Sequence, residues 1–194
     1  MQAGNAVADV VFGKANPGGK LPVSFPRRLG QVPIYYNHEP TGRPCDANSK
    51  YNSRHRDIPS CSPLYEFGYG LSYTTFAITD VALSGDTLDA RGGKIEVTAK
   101  VTNTGKRAGD EVAQLYINDP VASISQPVRR LRGFKRVTLQ PGQTKTVSFT
   151  LDKSDVGFYD NRARFRVENG RINVWVGDSS SVTAGKQTFR VTGA

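Results

Sequence analysis

Two cysteines and two histidines are the residues of this chain that could do redox or metal chemistry, and their spacing narrows which. Cys45 and Cys61 lie sixteen residues apart in one polar, proline-bearing stretch that also holds His55, with His38 just before it. Zinc sites draw their ligands from closely spaced Cys and His pairs. These four do not make such a set, so neither a metal nor a cofactor is expected. The two thiols could instead close a disulfide, which by loop entropy would stabilise the fold by roughly 3 kcal/mol. A bridge is favoured over two free thiols, and it would need an oxidising compartment. The other chemical candidate is "RRLRGFKR", Arg129 to Arg136. Such a run can form an anion or nucleic-acid patch, or a strand edge whose positive charge discourages edge-to-edge pairing. Leu131 and Phe134 interrupt it, and no RNA-binding or helix-turn-helix signature accompanies it. A strand edge and no nucleic-acid partner are therefore expected.

The elements that position these residues fall into two textures. Ala3, Val7 and Val10 recur at helical spacing and Gly13 can end the helix. "NPGG" at 16–19 is a turn. "LPVSF" at 21–25 then alternates as an extended segment does, with Pro22 confining it to a sheet edge or an irregular strand. "VPIYY" at 32–36 is a second short extended piece. One short helix and two such pieces cannot shield their own apolar faces, since a domain needs packed layers around a core. The segment reads as the last part of a larger α/β unit. Residues 37–62 are loop-like, with no periodicity. From Phe76 the texture changes to period two. "KIEVTAKV" alternates Ile95, Val97, Ala99 and Val101 against Glu96, Thr98 and Lys100. "NTG" is a turn and "EVAQLYIND" follows as a partner strand. "TKTVSFTL", "RINVWVGD" and "KQTFRV" continue the pattern. About seven short strands with turn signals between them predict an antiparallel β-sandwich. Neither cysteine lies in it, so no inter-sheet bridge is expected.

The net charge is +9. Residues 1–73 hold 8 Lys+Arg and 5 Asp+Glu, giving +3, and residues 74–194 hold 18 and 12, giving +6, so the excess is spread along the chain. No apolar run is long enough to cross a bilayer and no membrane partner is expected. "MQAGNAVADVVFG" has no basic start and Asp9 interrupts its apolar part, so it is not read as a secretory signal. A chain expressed as written would stay in the cytoplasm, which conflicts with a disulfide.

"GNAVADVVFGKANPGGKLPVSFPRRLGQVPIYYN", then "GRP", then "PLYEFGYGLSYTTF", then a β-sandwich carrying "VTNTGKRAGDEVAQLYIND" and "LRGFKRVTLQPGQTKTVSF", closely resembles the C-terminal part of family 3 glycoside hydrolases, and most nearly the periplasmic β-glucosidases of Gram-negative bacteria. The resemblance covers essentially the whole chain. It implies a mainly β fold: an immunoglobulin or fibronectin type III-like β-sandwich preceded by a truncated α/β segment. Residues 1–62 would be the end of the family's α/β sandwich domain, 63–75 an aromatic connector and 76–194 the fibronectin type III-like domain. The family hydrolyses terminal β-glucosides with retention, using two carboxyl groups roughly 5–5.5 Å apart. Its nucleophile lies in a barrel domain and its acid/base earlier in the α/β domain. Neither motif is matched by Asp9, Glu39, Asp46, Asp57 or Glu66, so no catalytic residue is assigned here. The chain alone is expected to be an inactive scaffold fragment, partnered by the barrel and α/β domain of the same enzyme. It would meet a β-glucoside only in the complete enzyme, which would be periplasmic. The alternative is a stand-alone carbohydrate- or protein-binding module.

Within this frame Tyr65, Phe67, Tyr69 and Tyr73 are expected to bury rings between domains while their hydroxyls stay bonded. Gly68 and Gly70 would permit the tight turns. Trp175 is read as a core or inter-domain packing residue. In the family the loop matching Lys50 to Asp57 approaches the active-site mouth. Arg54 and Asp57 would there bond sugar hydroxyls, and Tyr51 or His55 would offer a ring face. In this chain alone it is read as a polar surface loop pinned by Cys45 and Cys61.

Overall fold

The computed structural model describes residues 2–41, 45 and 60–194. A helix, α1 (Ala3–Val11), and a 3-10 turn at Leu29–Gln31 open the chain. Ten strands follow: β1 (Phe76–Leu83), β2 (Thr87–Asp89), β3 (Ile95–Asn103), β4 (Gly109–Asn118), β5 (Arg130–Leu139), β6 (Thr144–Leu151), β7 (Phe158–Tyr159), β8 (Phe165–Arg166), β9 (Gly170–Gly177) and β10 (Gln187–Thr192), with a one-turn helix, α2 (Lys153–Val156), after β6. The fold is a mainly β sandwich. One sheet has the order β1-β3-β6 and the other β2-β10-β9-β4-β5, while β7 and β8 form a separate hairpin. The seven longer strands are those that period-two patterning predicts. β2, β7 and β8 are too short to show a period.

Strand β3 shows how the pattern becomes a core. Its residues alternate buried and exposed along its whole length, because successive side chains of a strand point to opposite faces. In register, Ile95 sits beside Leu151, Val97 beside Phe149 and Ala99 beside Val147. The opposing sheet supplies Ala113, Leu115 and Ile117 from β4, Val174 and Val176 from β9, and Phe189 and Val191 from β10, all essentially buried. At about 25 cal/mol per Å² of apolar surface, full burial of each large side chain contributes about 1.5–3 kcal/mol.

Two expectations are corrected. "EVAQLYIND" does not pair with "KIEVTAKV": β3 pairs with β1 and β6, and β4 lies in the facing sheet. Facing placement buries the apolar side of each strand against the other, which side-by-side pairing would not do. The corner is held by Asn103, whose Nδ2 donates to the carbonyls of Arg107 at 2.7 Å and Leu139 at 3.0 Å. Likewise, "LPVSF" and "VPIYY" enter no sheet; Phe25 and Tyr65 form only an isolated bridge. Pro22, Pro26 and Pro33 remove the backbone donors that a ladder would need.

Candidate functional site

β4 and β9 lack the simple alternation of β3. From Ala113 to Ile117 every residue of β4 is buried, and Val174 to Gly177 of β9 likewise. A strand buried on one face alternates; one buried on both does not. What covers the second face is the segment before β1. It runs as a strap made of two paired pieces. Leu21 N–H donates to the Tyr69 carbonyl and Gly68 N–H to the Leu21 carbonyl, both at 2.8 Å, and Phe25 N–H donates to the Tyr65 carbonyl at 2.8 Å. The aromatic stretch is therefore backbone-paired to "LPVSF".

The strap grips the sandwich through rings and a polar centre. Tyr36 stacks on Phe67 with centroids 4.3 Å apart and meets the buried Tyr116 edge-on at 5.9 Å. Gln114 lies under Gly68. Its Nε2 donates to the Gly68 carbonyl at 3.0 Å and to the Asp178 carbonyl at 2.6 Å, while its Oε1 accepts from the Tyr116 hydroxyl at 2.5 Å. Burial pushes the Tyr116 hydroxyl well above its ordinary pKa, so it remains a donor at any physiological pH. Gly68 has φ +80, and a Cβ there would fall 2.0 Å from Gln114 Oε1; only glycine fits both demands. At Gly70 a Cβ would fall 2.3 Å from the Gly19 carbonyl oxygen.

Arg129 extends the same cluster. Its guanidinium lies 4.7 Å from the Trp175 ring centre and 5.8 Å from that of Tyr116, and it donates to the Val182 carbonyl at 2.6 Å and to the Ser180 carbonyl. Burial lowers its pKa. Ser180 N–H in turn donates to the Phe67 carbonyl at 2.9 Å. Arg130 donates to the Gly157 carbonyl at 3.0 Å and the Val156 carbonyl at 3.3 Å; burial, with Arg132 beside it, holds its pKa down to about 10. β5 does form the edge of its sheet, yet the first two arginines of its basic run face protein, not solvent. Lys20 and Glu111 close the strap with a 2.7 Å ion pair whose side chains are 15% and 7% exposed.

The other end of the strap is polar. Asn16 accepts from Tyr73 N–H at 2.8 Å and Ser72 Oγ at 2.9 Å, and donates to the Ala108 carbonyl at 2.9 Å. Tyr73 Oη donates to the Val10 carbonyl at 2.7 Å, which ties α1 back to the connector. Tyr65 stacks on Tyr69 at 5.0 Å and meets Phe25 edge-on at 6.3 Å. Of the aromatic set, then, Phe67 with Gly68 docks on the sandwich. Tyr65 and Tyr69 pack within the strap, and Tyr73 reaches the helix. Trp175 is nearly buried beneath Arg129. Cys45 and Cys61 are joined as a disulfide with Cα atoms 6.1 Å apart. Tyr51, Arg54, His55 and Asp57 lie outside the described residues.

Much of the apolar side-chain surface of residues 2–41 is bare. Helix α1 has no buried residue. Val7, Val11, Phe12, Val23 and Leu29 are 54–88% exposed, as is Leu71 at 70%. Large apolar side chains left open in this number are what a partner surface would cover. The strap is thus hydrogen-bonded, stacked and ion-paired onto the sandwich while these apolar side chains stay open.

Residues 1–73 match the glycosyl hydrolase family 3 C-terminal domain and residues 111–180 a fibronectin type III-like domain. The chain is similar to the periplasmic beta-glucosidase of Salmonella typhimurium, 50% identical over 187 residues that cover 95% of this chain and 24% of that protein. It is similar to a beta-xylosidase of Formosa agariphila, 44% identical across 93% of this chain and 24% of the relative. Among solved structures, the beta-glucosidase of Listeria innocua in complex with gluconolactone superposes with a TM-score of 0.90 at 40% identity, over 97% of this chain and 26% of that one. The chain thus spans about a quarter of the length of these relatives.

Proposed function

The chain belongs to glycoside hydrolase family 3, as a C-terminal part of such an enzyme, and from that premise we propose that it is the structural end of a periplasmic β-glucosidase. In this reading residues 1–62 complete the enzyme's α/β domain, 63–75 form the connector and 76–194 the fibronectin type III-like domain. The complete enzyme would cleave terminal β-D-glucosides with retention, and this part would hold its α/β domain against the sandwich. The reading is carried by the two-faced strap: Gln114, Tyr116, Arg129 and the Lys20–Glu111 pair fix one side, while Val7, Val11, Phe12 and Leu29 lie open on the other. Periplasmic location follows the name of the Salmonella relative, and a Cys45–Cys61 bridge suits that compartment. The other domains of the same enzyme are the partner the bare face calls for.

Two assays test this. The purified chain is offered a chromogenic β-glucoside, with no turnover expected. It is then mixed with the separately produced remainder of the enzyme from a family relative, and β-glucosidase activity is expected only in the mixture. Turnover by the chain alone, abolished by substituting one of its own carboxylates, would overturn the proposal.

A further inference from the structure

Apart from the Gln114 cluster, the opening segment meets the sandwich at a second place. Residues 36–39 lie along the loop between β4 and β5. Val128 N–H donates to the His38 carbonyl at 2.9 Å, Ser125 Oγ to Glu39 Oε2 at 2.6 Å, and Leu131 N–H to Tyr36 Oη at 3.3 Å. Residues 60–62 are held instead by the strap. Arg27 Nε donates to the Ser62 carbonyl at 3.2 Å, and Gln31 Nε2 to the carbonyls of Ser60 at 3.3 Å and Ser62 at 3.4 Å, at or beyond the long end of the usual range. Cys61 belongs to this second stretch, and Cys45 follows the first. Their disulfide therefore joins a piece seated on the sandwich to a piece seated on the strap. Both cysteines are exposed, and neither belongs to the buried core.

We propose that this bridge is a redox-sensitive clasp, opened by thiol–disulfide exchange while the sandwich stays folded. Exposed bridges exchange more readily than shielded structural ones, and this one can break without exposing core residues. With glutathione as reductant, a thiolate attacks one sulfur of the bridge. The Cys45–Cys61 bond breaks, a mixed disulfide forms, and the other cysteine leaves as a thiolate that takes a proton from water. A second glutathione thiolate attacks the glutathione sulfur of the mixed disulfide, which frees the remaining cysteine and leaves glutathione disulfide. Two electrons thus pass from two thiols to the cysteine pair. Opening removes the covalent tie between the two stretches. Residues 36–39 then keep their seat through hydrogen bonds to the β4–β5 loop, and by loop entropy their hold weakens by up to about a hundredfold.

The test uses the full 194-residue chain in reduced or oxidised glutathione. Maleimide labelling with mass spectrometry counts free thiols, and amide exchange by NMR reads each stretch. Reduced glutathione is expected to release both thiols with no denaturant present, and oxidised glutathione to close them again. In the open form the amides of β3 should keep their protection, as should Gly68, which donates to the Leu21 carbonyl. Val128, which donates to His38, should exchange between about tenfold and about a hundredfold faster. Cys45→Ser with Cys61→Ser should show that faster Val128 exchange in either form of glutathione. Thiols that appear only in denaturant, loss of β3 protection on opening, or Val128 exchange that opening leaves unchanged would each overturn the proposal.

Discussion

Replacing Gly68 with alanine should loosen the strap from the sandwich, and the size of the effect can be built from the contacts. At φ +80 an alanine is strained by about 1–2 kcal/mol. Its Cβ would stand 2.0 Å from Gln114 Oε1 and 2.8 Å from Cδ, so the Gln114 side chain must leave. It then gives up its bonds to the Gly68 and Asp178 carbonyls and to the Tyr116 hydroxyl, each contributing about 1 kcal/mol. The sum is about 4–5 kcal/mol, near the upper end because Tyr116 is wholly buried and its hydroxyl would lack a partner. Urea unfolding followed by the single tryptophan, Trp175, which lies under Arg129 in the same cluster, reads the loss. Amide exchange at Gly68, which donates to Leu21, reports the strap itself. The decisive comparison is with Gln114→Ala. In that background Gly68→Ala should cost only the backbone strain, about 1–2 kcal/mol. An equal cost in both backgrounds, or a cost below about 1 kcal/mol in the unmodified chain, would refute the reasoning.

Four further outcomes are expected. Lys20→Met leaves Glu111 charged and nearly buried and should cost about 3–5 kcal/mol in chemical denaturation, with much of it restored when Glu111→Leu is added. Ala163→Gly relieves φ 56 in the β7–β8 turn and should raise stability by about 0.5–1 kcal/mol, seen as a rise of about 2 °C in Tm. The Asp160 carboxyl is held down to about 2, first by the Arg164 backbone N–H and further by Arg162 N–H and the Arg166 and Arg164 guanidinia. A depressed folded pKa stabilises above the unfolded value of about 3.9 and loses that effect as pH falls through the folded one. The Arg164 and Arg166 Nε–H signals should therefore persist at pH 4, fade toward pH 2, and lose this dependence in Asp160→Asn. Phe12→Asp, at an 86% exposed position, should shift the chain's own stability by no more than about 0.5 kcal/mol while impairing reconstitution of activity with the remainder of the enzyme.

Some of the joint is written locally. The run "VAQLYI" at 112–117, apolar or aromatic but for Gln114 and set beside the alternating "KIEVTAKV", signals a strand covered on both faces, and "VWV" at 174–176 repeats the signal. The rings and glycines of residues 64–73 announce a packed connector. Other parts carry no such mark. Asn16 and Asn103 look like ordinary turn residues, yet each satisfies backbone groups far along the chain, Asn16 at a separation of 92 residues and Asn103 at 36. Arg129 begins a basic run that resembles a solvated edge, and only the fold turns it onto Trp175 and Tyr116.

The amino-acid order by itself determined where the seven longer strands form, which of their residues are apolar, and that the opening segment cannot cover its own apolar residues. Periodicity encodes those facts because a side chain's direction follows from the backbone geometry of its neighbours. The tertiary structure alone decided what covers each face: that β3 and β4 oppose each other across the core, that the strap lies on β4 and β9, and that Gln114 stands under Gly68. Those pairings join residues tens of positions apart, and their free energy depends on shape and on hydrogen-bond geometry that no local window contains.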